Sequence, residues 1–145
     1  MIDDEGFLCD FEARRIALEA WSHRSHVRMA YLYLRRHPFD EAVKKVRAGI
    51  QAFNAHHRIP DELERGYHET LTIAWLRVIA ATIASQGPGE NSEDFCNRQP
   101  HLLQRTLLRL FYSRGRMMTW EAKRAFVEPD LLPLPAAIDP PSTAG

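Results

Sequence analysis

The chain has 145 residues and a mass of 16.7 kDa, with 45% apolar and 26% charged side chains, which suits one globular domain and excludes a disordered chain. Nineteen basic and nineteen acidic side chains cancel, so the overall field gives no reason to expect general binding to nucleic acid or to an anionic membrane. The acidic start, Asp3-Asp4-Glu5, does not read as a signal peptide, and the longest apolar stretch, Leu71 to Ala84, is interrupted by Arg77 and too short for a bilayer. A cytoplasmic protein is expected. Cys9 and Cys96 form no CxxC pair and read as reduced, semi-buried small apolar residues.

The apolar spacing is helical nearly throughout, and no alternating run is long enough to be a strand. A first long segment, Asp10 to Arg36 with a break near Ala20-Trp21-Ser22, carries Val27, Ala30, Tyr31 and Leu34 as one stripe. His37-Pro38 ends it, because the residue before a proline is pushed out of the α region. A second helix begins near Asp40, a candidate cap, and turns Val43, Val46, Ile50 and Phe53 inward. A third, from Gly66 to Ser85, is apolar over more than half its circumference and belongs at the centre of a bundle.

Gln86 to Glu90 is a loop, and a short turn follows over Ser92 to Arg98. A fourth helix is predicted from Pro100 to Tyr112, with Leu103, Leu107, Leu110 and Phe111 inward. Ser113 to Arg116 breaks it, and Thr119 caps a short fifth helix from Trp120 to Val127. From Pro129 onward five prolines forbid a helix. The expected architecture is all-α: a single-domain bundle of four to five helices over residues 1–128, with an extended Pro-rich tail at 129–145 that frays at its end.

His23, His26 and His68 stand out. His23 and His26 are three apart and share a helix face, and His68 lies three before Leu71 and seven before Trp75 on the packing side of the third helix. If these helices are neighbours, three imidazoles converge at one end of the core. Three histidines plus an open position suit a divalent transition metal such as zinc, iron, manganese or copper, and Glu69 or Tyr67 then supplies a fourth ligand or an acid/base. Arg28 would orient an anionic substrate. The competing reading takes each histidine as a hydrogen-bonded residue near a helix end. A third takes His68, kept neutral at a helix N-terminus, as a metal-free acid/base.

Sharper motifs are absent: His68-Glu69-Thr70-Leu71-Thr72 has threonine where HExxH needs its second histidine, and there is no P-loop, GxSxG or GxGxxG. Residues 97–124 carry seven bases against Glu121 alone. On a helix, Arg105, Arg109 and Tyr112 would share a face, either an anion site or a solvated surface paired with the acidic N-terminus.

Trp21-x-His23-x-x-His26-x-Arg28 with Ala30 to Leu34, then Gly66 to Thr72 with Trp75, then Phe126 to Leu131, resembles the corresponding segments of an uncharacterised bacterial family of small hypothetical proteins. The resemblance spans nearly the whole chain and implies no activity. Taken together, the expected function is that of a small metal-dependent hydrolase or oxidase with His23, His26 and His68 as ligands and a small-molecule substrate. The alternative is an interaction module without metal, such as a homodimer, docking a protein partner through the Arg105/Arg109 face or Leu131 to Pro135.

Overall fold

In the computed structural model, residues 3–139 are described, and among them every regular element is helical. Seven α-helices follow in order: α1 (Asp4–Glu12), α2 (His23–Arg36), α3 (Phe39–His56), α4 (Glu69–Gln86), α5 (Ser92–Arg98), α6 (Arg114–Met117) and α7 (Trp120–Arg124). None is long and apolar enough to cross a membrane among the described residues. Short polar side chains start most of them, because free first-turn amides need acceptors. Asp3 accepts from Gly6, Ser22 and Ser25 form a reciprocal box at α2, Asn91 accepts from Asp94, and Thr119 accepts from Ala122. His37, the C-cap of α2, is followed by Pro38, and Gly87, at φ 89°, follows α4.

The hub is α2, which packs against α1, α3, α4 and α5, while α4 packs against α2, α3 and α7. Every residue of the α2 stripe is buried, and so are Met29, Leu32 and Tyr33 on its flanks. Trp21, ahead of α2, stacks on Phe11 with centroids 5.0 Å apart and leans on Phe53 at 5.0 Å, so α1 and α3 close over the start of α2. A Cβ at Gly49 would stand 2.6 Å from the Phe11 ring, so only glycine lets α3 approach α1 this closely.

The structure corrects the expected boundaries. The first long helix is two, with α1 separated from α2 by an irregular stretch and a 3-10 turn at Leu18–Ala20. Asp40 does not cap α3; Pro38 holds the cap position, and the Phe39 amide is taken by Asp139 Oδ1 at 2.9 Å. The Pro100–Tyr112 helix is replaced by two 3-10 turns, Pro100–Leu103 and Leu107–Leu110. Leu102 and Leu108 are the buried leucines there, whereas Leu110 is 56% exposed. Good local helix formers give way to docking, since the tighter turns place both leucines in the core. Arg105, Arg109 and Tyr112 therefore share no helix face; Tyr112 is buried and its hydroxyl donates to the Val127 carbonyl at 2.7 Å. Trp120 is 40% exposed, and Cys9 is exposed while Cys96 is buried.

The tail as far as residue 139 lies along the bundle. Leu134 is buried, and the Pro135 carbonyl accepts from Arg77 Nε at 2.6 Å. The expected fraying of the last residues lies outside the described part.

Candidate functional site

A cavity of about 290 Å³ opens between α2, α3 and α4. Its wall is mostly apolar, formed by Val27, Ala30, Ile50, Leu71, Leu76 and Ile79 among others. His23, His26 and His68 all line it, with Tyr67, Thr72, Trp75 and Arg105. All three imidazoles thus line one cavity, but what each ring does is set by its partners.

His68 is the N-cap of α4. An amide N–H can only donate, so the Leu71 N–H at 3.1 Å fixes Nδ1 as an acceptor and puts the proton on Nε2, which donates to the Met117 carbonyl at 3.1 Å. Helix α4 accordingly starts at Glu69, three residues later than the periodicity suggests. His26 is equally committed. Trp21 Nε1–H donates to its Nε2 at 3.1 Å, which leaves Nδ1–H to the Ser22 carbonyl at 3.3 Å. In His23, Nε2–H donates to the Leu102 carbonyl at 2.9 Å. Its Nδ1 has no partner among the described residues, and no unpartnered polar side-chain atom there is sealed from solvent. The ring leans on Trp75 with centroids 4.8 Å apart. One free lone pair remains among the six ring nitrogens.

Burial disfavours the charged form of all three rings. It lowers His23 despite the Leu102 carbonyl, helped by the charge of Arg105. It takes His26 down to about 4 against the Ser22 carbonyl, with His23 and Arg105 adding to the effect. It lowers His68 against the Met117 carbonyl, with Lys123 adding. The rings are therefore neutral near pH 7.

Glu69 faces elsewhere. It lines a neighbouring polar cleft with Arg47, Asp61, Trp120, Lys123 and Arg124. Arg47 grips its carboxylate through two hydrogen bonds, at 3.0 and 2.6 Å, and the Tyr67 hydroxyl donates to it at 2.5 Å. Burial would raise the Glu69 pKa, but these donors and the Arg47 charge outweigh it and hold the group below its ordinary value. Burial and that same carboxylate push the Tyr67 phenol up to about 12. Gly66 and Tyr67 are the two residues common to the cavity and the cleft. Lys123, with a side chain 3% exposed, fastens this wall by donating to the Tyr67 carbonyl at 2.5 Å and to Asp61 at 2.7 Å.

Arg28 is also spent elsewhere: it bonds Ser92 at 2.8 Å, pairs with Glu93 and Asp4, and lies 4.0 Å over the Phe7 ring. It ties α1, α2 and α5 together and does not line the cavity. Among the described residues, no three His, Cys, Asp or Glu side chains come close enough together to share an ion.

Three participants escaped the sequence reading. Arg105, assigned there to a separate surface, stands at the cavity with the histidines. The carbonyls of Leu102 and Met117, 79 and 49 residues from the rings they hold, carry no local signal. Comparison with known proteins finds no matching protein family, no matching curated protein and no matching solved structure.

Proposed function

We propose that the chain binds a small, largely apolar molecule in the cavity between α2, α3 and α4, with His23 as the residue that accepts its hydrogen bond or proton. The observation that carries this reading is the one uncommitted nitrogen of the three cavity imidazoles, that of His23 at Nδ1, on a mostly apolar wall. Binding sites commonly combine an apolar lining with a few oriented polar groups. A neutral imidazole is an acceptor at pH 7 and a competent general base where the bound molecule has an acidic proton.

The metal-centre reading asks more. His26 and His68 would have to release Trp21 and Leu71 before either could offer a lone pair. Elemental analysis of tag-free protein decides it: near-stoichiometric metal that disappears in a His23→Ala/His68→Ala variant would replace the proposal.

The direct test is a titration with benzyl alcohol followed by backbone amide NMR. It supplies a ring for the cavity and an O–H for His23. Shifts confined to α2, α3 and α4 residues around the cavity, and lost when Ala30→Leu fills it, are expected. Shifts that are absent, or that survive in Ala30→Leu, would remove the cavity as the site. A concentration-dependent mass without such shifts would favour the interaction module.

A further inference from the structure

We propose that the ligand of this cavity is a small monocarboxylate with an apolar body, and that Arg105 anchors its carboxylate. The inference rests on the cavity reading and adds the chemical class of the ligand.

The donors around the cavity are almost all spent. The three ring N–H groups serve the carbonyls of Leu102, Ser22 and Met117. The Thr72 hydroxyl donates to the His68 carbonyl at 2.8 Å, and the Tyr67 hydroxyl donates to Glu69. Among the lining side chains this leaves two donors, the neutral indole N–H of Trp75 and the Arg105 guanidinium, which is exposed and has no ion-pair or hydrogen-bond partner among the described residues. Its neighbourhood explains why: residues 95–120 contain no aspartate or glutamate. It is also the one formally charged side chain on the cavity wall, and no carboxylate lines the cavity to repel an anion.

One guanidinium fork with no second cation matches a planar, singly charged, two-oxygen group. A phosphate, with more charge and more acceptor oxygens, would leave most of them without donors. The body of the ligand then lies among Val27, Ile50, Leu71, Leu76 and Ile79. At roughly 30 Å³ per water-sized unit, 290 Å³ holds about ten non-hydrogen atoms. Benzoate has that size.

The test compares benzoate with benzamide, the same shape without the charge, by calorimetric titration of wild type and Arg105→Gln. Benzoate is expected to bind about tenfold more tightly than benzamide to wild type, at the lower end for a charge-assisted bond because Arg105 is exposed. In Arg105→Gln the preference should vanish. Equal affinities in wild type, a preference that survives in the variant, or tighter binding of phenyl phosphate would each overturn the carboxylate anchor while leaving the cavity reading intact. Binding of neither probe would overturn both.

Discussion

His68 Nδ1 accepts the backbone N–H of Leu71 at 3.1 Å, so an imidazole performs at the start of α4 the task that serine, asparagine and threonine perform at other helices of the chain. The second nitrogen reaches Met117, which couples this helix start to the segment ahead of α7. His68→Ala should lose both bonds and leave the Met117 carbonyl without its donor, at a cost of about 2 kcal/mol. His68→Asn should recover the cap alone and fall between. Urea unfolding of the three proteins checks the order, and an Ala variant as stable as wild type would refute the structural role.

His26 makes stability depend on pH. Its folded-state value of about 4 lies below the ordinary 6.5, so the unfolded chain binds the proton first. The contribution is complete above pH 6.5 and is lost as pH falls from there toward 4. A loss of about 2 kcal/mol is expected by pH 4, discounted because the ring is only partly buried. His26→Gln, whose side-chain oxygen can still accept from Trp21, should lose less stability than wild type between pH 7 and pH 4.5. Parallel denaturation curves at the two pH values decide.

The Tyr67 phenol reports on Glu69. With burial and the carboxylate pushing it up to about 12, Glu69→Gln should move its titration back toward 10. The same change removes the charge and one of the two bonds to Arg47 and should cost about 1 kcal/mol, a modest figure because Arg47 is partly exposed. Ultraviolet phenolate titration follows the first effect and thermal unfolding the second. A phenol that does not move would place Glu69 away from it in solution.

Gly66 sits at φ 90°, and a Cβ there would meet the Pro60 carbonyl oxygen at 2.9 Å and Asp61 Cα at 3.2 Å. Gly66→Ala combines a left-handed backbone with backbone clashes and should destabilise by about 2 kcal/mol. Because Gly66 and Tyr67 form the wall between cavity and cleft, amide exchange in residues 59–68 should accelerate in the same variant. Unchanged exchange would show that the wall is not held by this turn.

Much of the fold was legible because helix formation is written in local periodicity and end signals. The Val27, Ala30, Tyr31 and Leu34 stripe, the stop at His37-Pro38, the Gly87 loop and the Thr119 cap are all local features, and each stands where its chemistry requires. His23, His26 and His68, singled out together by their spacing to the apolar stripes, all line one cavity.

Tertiary structure alone decided what those rings do. A spacing of three places two histidines on one face, but the partner of a ring nitrogen depends on which loop docks against it. Leu102 reaches His23 only because the Pro100–Leu110 segment abandons a continuous helix for two tight turns, and Met117 reaches His68 only after α6 folds back toward α4. Those long-range bonds, together with the local Trp21 and Leu71 contacts, leave five of six nitrogens committed and His23 Nδ1 free. Hydrophobic period therefore determined which surfaces are buried, whereas directional hydrogen bonds between distant segments decided which polar atoms remain available for chemistry.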